Sequence, residues 1–214
     1  MIILGSLVVL VIFLGTGWAI ATEMFQQRTW RRRVASGDTA ILVALIEEAL
    51  VTWRRARPPK GVSSALWAGV QGVQLVAVTE DTATVSTSAE GEFRTEGGQR
   101  VQVSTALDEA IALAARVADM MLYDVPNLHL SAVRVDVYAT FGGEGGVPVQ
   151  RPILTTDATR ADADTLAWET MTAGEILGRF ATVYRRGETG QGLPIELPPI
   201  EGGLPAPGRV QGEG

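Results

Sequence analysis

Residues 133–141 read Val133-Arg134-Val135-Asp136-Val137-Tyr138-Ala139-Thr140-Phe141, with an apolar side chain at every odd position and a polar or charged one at each even position save Tyr138. Neighbouring side chains of a strand point to opposite faces, so this period of two predicts a β-strand with one dry face. Arg134, Asp136 and Tyr138 share the other face. They form either a polar binding surface or the solvent side of a sheet covered on one side only, and they are the candidate binding residues.

Gly142-Gly143-Glu144-Gly145-Gly146 comes next and reads as a hairpin tip. A phosphate cradle would need Gly-x-x-x-x-Gly-Lys-Ser/Thr leading into a helix, and here Pro148 and a returning strand follow. Pro148 and Pro152 have the same parity in that strand, the pattern of an edge. On the other side, Ser104 or Thr105 caps a helix with Asp108 and Glu109 in its first turn and Leu107, Ala110, Ile111, Ala114, Val117, Ala118 and Met121 along one face. Upstream, Val73–Val78, Ala83–Glu90 and the stretch through Val101 and Val103, with turns at Glu80-Asp81 and Glu96–Gln99, predict a three-stranded antiparallel meander. Val62–Gln71 is a short helical lead-in. After the hairpin, Thr172 and Glu175 form a capping box, and Ile176, Leu177, Phe180, Val183 and Tyr184 predict the buried face of a last helix that closes at Gly187. The expected fold over 61–186 is α+β, a mainly antiparallel sheet of about five strands with helices packed on one face.

From the lead-in to Phe141, this order of meander, helix and strand is similar in layout to bacterial alkaline-shock-type envelope proteins. No motif is shared, so no residue or function is carried over.

The N-terminal flank differs sharply in composition. Ile2–Ala21 carries no charge, and twenty helical residues span about 30 Å, the thickness of a bilayer's hydrocarbon core. Residues 1–21 are therefore expected to be a transmembrane anchor. Trp18 and Trp30 stand as interfacial aromatics, with Arg31, Arg32 and Arg33 against the headgroups. Arg28 and that triplet retain the following chain on the cytoplasmic side; the small residues of Ala19-Ile20-Ala21 fit a signal-peptide cleavage site, so export after Ala21 is the alternative. Residues 22–60 hold eight basic and four acidic side chains. Within them Leu42, Leu45, Ile46, Ala49, Leu50 and Trp53 form the stripe of an amphipathic helix, which Pro58-Pro59 stops. Packing on the domain, on another chain or on the membrane would each bury that stripe.

Residues 61–186 carry sixteen acidic against nine basic side chains, so nucleic acid is not an expected partner of the folded domain. No cysteine is present, which excludes disulfides, thiolate metal sites and cysteine nucleophiles. His129 is the single histidine, so no two-histidine metal site exists within one chain, and no Gly-x-Ser-x-Gly elbow accompanies it. Asp157, Asp162, Asp164 and Glu169 lack calcium-loop spacing and read as a solvated connection. No cofactor or metal is expected. The tail 187–214 is rich in proline and glycine and is expected to be disordered.

Together these readings point to a single-pass membrane protein whose cytosolic domain is a non-enzymatic interaction or assembly module. Its expected partners are the lipid bilayer and a protein, either another species or a homo-oligomer. A membrane-tethered small-ligand-binding or enzymatic domain, using carboxylates and arginine in a cleft, is the alternative.

Overall fold

The stripe at three- and four-residue steps forms helix α1 (Thr39–Arg55) in a computed structural model that describes residues 39–200 and 202. Its Leu42, Ile46, Leu50 and Trp53 are buried in the domain core, so this helix packs on its own domain. Residues 1–21, with Trp18, and the segment bearing Trp30, Arg31, Arg32 and Arg33 lie outside the described residues. Among the described residues no helix is long and apolar enough to cross a membrane.

Ser63 accepts a hydrogen bond from the Leu66 amide and starts α2 (Ser64–Gln71). The chain then runs through β1 (Gln74–Val78) and β2 (Thr82–Ser88), paired antiparallel across a tight turn. A correction to the meander follows: β3 (Phe93–Glu96) and β4 (Gln99–Gln102) pair only with each other, in a separate two-stranded ribbon. Every β3 side chain is exposed, so this hairpin has no apolar face to lay on the sheet. The layout similarity drawn from the element order therefore loses its third sheet strand.

Thr105 and Asp108 exchange the two bonds of a capping box and start α3 (Ala106–Asp119), which runs into a wider turn at Met120–Asp124. The expected apolar face of α3 packs on β5 (Ala132–Gly142) and β6 (Pro148–Thr159). These two strands are joined through the expected glycine tip. β5 also lies parallel to β2, because α3 and the ribbon return the chain to the same end of the sheet. The six-stranded sheet, ordered β1-β2-β5-β6-β7-β8, is thus mixed rather than a purely antiparallel array. Pro148–Arg151 of β6 pairs with β5 alone and is an edge, whereas Leu154–Asp157 is central.

After the short α4 (Arg160–Ala163), the second capping box does form, Thr172 with Glu175, but its helix α5 (Ala173–Leu177) ends at Gly178. The expected helix through Tyr184 is instead strand β7 (Ala181–Arg186), which pairs with Leu154–Asp157 of β6. Thr182, Val183 and Tyr184 have β-branched or aromatic side chains that suit a strand, and the open side of β6 supplies the ladder. Val183 and Tyr184, expected in a buried helical face, are exposed.

The tail is also corrected. Residues 187–191 turn, β8 (Gly192–Leu193) pairs with β7, and the chain continues without regular secondary structure through Ile200. Gly192 packs closely here: a Cβ would sit 3.2 Å from Ile153 and 3.3 Å from Leu107, so those side chains would have to give by a few tenths of an ångström. Residues 203–214 lie outside the described residues.

The dry side of the sheet carries Ala83, Val85, Val133, Val135, Val137 and Leu154 against the helices. Fully burying each Val or Leu contributes about 1.5–3 kcal/mol. The candidate residues lie on the opposite side, called here the back face.

Candidate functional site

The pleat of β5 puts Arg134, Asp136 and Tyr138 on the back face together, as the alternation predicts. Their neighbours follow from the register. On β2 these are Thr84, Ser86 and Ser88, and on β6 Asp157, Thr155 and Pro152. The expected solvent face is nevertheless dry at its centre, where Arg134 and Asp136 are 8% and 1% exposed.

Two things seal it. Arg134 Nε donates to Asp136 Oδ1 at 2.9 Å, and Thr155 Oγ1 donates to the same oxygen at 2.6 Å. The C-terminal segment then crosses over them as a strap. Ile195 N–H donates to the Pro152 carbonyl at 2.9 Å, and Arg134 Nη1 donates to the Pro199 carbonyl at 3.2 Å. At the far end Gly202, with φ +83°, fits so closely over the β1–β2 turn that a Cβ would lie 2.8 Å from the Val78 carbonyl oxygen. A buried ion pair is stabilising on balance only when its remaining hydrogen-bonding groups are satisfied. Here Arg134 Nη2 is buried with no partner among the described residues.

The surrounding groups respond to this arrangement. Asp157, expected in a solvated connection, is instead a strand residue directly opposite Arg134. Partial desolvation raises its carboxyl pKa, Arg134 opposes that rise, and the Asp136 charge reinforces it. Desolvation and the Asp136 charge likewise push the Tyr138 phenol above its ordinary value of 10.0. Beyond Tyr138 the back face opens into a groove of about 220 Å³ lined by Gln74, Ser86, Ser88, Tyr138 and Gln150 among others. It offers hydroxyls and amides, with no carboxylate, imidazole or cation among its lining side chains.

Asp162 and Asp164 of the acidic group are used locally. Asp162 and Thr159 bond each other at the start of α4, and Asp164 accepts the Tyr123 hydroxyl at 2.7 Å. Arg160 holds the wide turn after α3 by donating to the Leu130 and Leu122 carbonyls, with its guanidinium 5.2 Å from the Tyr123 ring centre. Desolvation and the bond to Asp164 raise the Tyr123 phenol to about 12. His129 is exposed between buried Leu128 and Leu130. A second concavity, about 480 Å³, lies between α1 and residues 124–127, where Leu45, Ala49, Trp53 and Pro126 meet Glu48 and Asp124.

Thr155 and Pro199 belong to the back-face site and carry no signal as isolated residues. Thr155 becomes visible only once the hairpin register is fixed, because that register places it opposite Asp136. For the strap, the usable signal is the alternation of Leu193, Ile195 and Leu197, all half-buried, with exposed Glu196 and Pro198. What the arrangement can do chemically is hold a peptide carbonyl with an oriented guanidinium; no nucleophile stands beside a base in it. No family model, no curated protein and no solved structure matches this chain.

Proposed function

We propose that the chain is a single-pass, membrane-anchored interaction or assembly module, non-enzymatic, with its folded domain in the cytoplasm. The supporting observation is the use made of its best-organised charged group: Asp136 fixes Arg134, and Arg134 holds the Pro199 carbonyl of the C-terminal segment. A face built this way suits peptide recognition. The apolar run 1–21 followed by Arg28, Arg31, Arg32 and Arg33 supports the anchor and its orientation. The partners are the bilayer and a protein, either another species or a further copy.

Protease treatment of intact and opened spheroplasts, followed by crosslinking in the membrane, tests this reading. The domain is expected to resist digestion until the membrane is opened, and to crosslink into a larger species. Digestion in intact spheroplasts, or a mature chain beginning after Ala21, overturns the topology; a chain found only as free monomer overturns assembly. One observation favours a second reading, a tethered domain for a small uncharged ligand: the polar groove beside Tyr138.

A further inference from the structure

We propose that the back face of the sheet is a docking groove for an extended, uncharged, proline-containing peptide of a partner protein, and that residues 194–200 occupy it as a displaceable stand-in. The proposal rests on the reading of the chain as an interaction module, and it names the surface and the kind of partner.

The strap shows what fits the groove. Residues 194–200, without regular secondary structure, meet the Pro152 carbonyl through Ile195 and Arg134 through Pro199, and Gly202 lies against the β1–β2 turn at Val78 and Thr79. It is lightly held. None of the side chains from Leu193 to Ile200 is fully buried, and Ile200 is 45% exposed. Its release therefore exposes only side chains that are already half-open to solvent, and breaks few polar bonds.

The strap is also an incomplete ligand. Arg134 has its side chain 9% exposed and Nη2 buried without a partner, so a peptide that presents a second carbonyl there gains a bond the strap does not make. Charge selects the class of ligand. Asp136 already neutralises Arg134, and Asp157 lies opposite, so the surroundings repel a carboxylate or phosphate and accept a neutral carbonyl. Proline suits such a peptide because it presents a carbonyl and has no N–H to leave unpaired against the sheet, and it favours the extended conformation. The same segment supplied by a second copy would make no additional bond to Nη2 and would compete with a tethered strap at higher effective concentration. A foreign peptide is therefore the better occupant.

The test uses the full chain in detergent and, as probe, a fluorescently labelled peptide of residues 193–202 carrying Glu196→Gln and Glu201→Gln, so that its side chains are uncharged. Ile195→Pro removes the amide that donates to Pro152 and loosens the strap. It is expected to raise the affinity for the probe about fivefold over wild type, the equivalent of one hydrogen bond. Adding Arg134→Lys keeps the charge beside Asp136 and removes the planar fork, and is expected to weaken binding about tenfold. Unfolding midpoints are measured alongside; if Arg134→Lys does not fold, the comparison of Ile195→Pro with wild type decides. No saturable binding to Ile195→Pro, or equal binding to it and to wild type, overturns the proposal. So does a strap that crosslinks to the groove of another copy. Failure of the probe while crosslinked complexes persist in the membrane removes the groove and leaves the interaction module standing.

Discussion

The two faces of β5 are both buried, for opposite reasons. On one, Val133, Val135 and Val137 are fully covered by helices, and their burial is a driving force. On the other, Arg134 and Asp136 are covered by a strap from the far end of the chain, and their burial is a cost that hydrogen bonds must offset. Alternation along a strand identifies the face that must be dry. It does not establish that the other face is wet.

Breaking the polar face should have the larger effect. Asp136→Ala leaves Arg134 buried without its carboxylate and is expected to cost about 3–5 kcal/mol in urea unfolding. Replacing both partners, with Arg134→Met and Asp136→Leu together, is expected to recover most of that loss, because two apolar side chains make the back face resemble the front. A double variant as unstable as Asp136→Ala would show that the pair contributes more than mutual compensation.

On the apolar face, Val135→Ala removes methyl groups from a packed site and is expected to cost about 1–3 kcal/mol. Hydrogen exchange should distinguish the two kinds of damage. Val135→Ala is expected to lower protection under α3 and leave the Ile195 amide unchanged, whereas Asp136→Ala is expected to expose the strap first. Thr155→Val is the finer probe of the polar face. Losing its 2.6 Å bond to Asp136 is expected to cost about 1.5 kcal/mol, and a double-mutant cycle with Asp136→Asn should show the two positions coupled.

The same contrast explains what could be read in advance. The apolar row of β5, the stripe of α1 and both capping boxes rest on local periodicity and short-range bonds, which a sequence displays directly. The two capping boxes make the limit clear. Thr105 starts a helix of 14 residues and Thr172 one of 5, because a cap sets where a helix begins and Gly178 and the open side of β6 decide where this one stops. Pairing is non-local, so nothing near Ser86 announces that it will lie beside Asp136 in a parallel pair. The tail misled for a related reason. A proline- and glycine-rich segment cannot bury a core of its own, but docking on an existing face needs only a few half-buried side chains such as Leu193, Ile195 and Leu197.

The smallest expected effect comes from Asp157, at the margin of the polar face. Partial desolvation raises its folded-state pKa above the ordinary 3.8, with Asp136 adding to the rise and Arg134 opposing it. A carboxyl with a raised folded pKa holds its proton more tightly in the native state than in the unfolded chain. Its ionisation therefore works against folding: the penalty is absent below 3.8, where both states are protonated, builds as the pH rises through 3.8 and is complete above the raised folded value. Asp157→Asn is neutral at every pH. It should be slightly more stable than wild type near neutrality, and the difference should shrink to nothing as the pH falls through the acid range. If the difference has the opposite sign at neutral pH, attraction to Arg134 outweighs desolvation. Asp157 would then be a working partner of that guanidinium, and the polar face would extend one strand further than the contrast between the two sides of β5 implies.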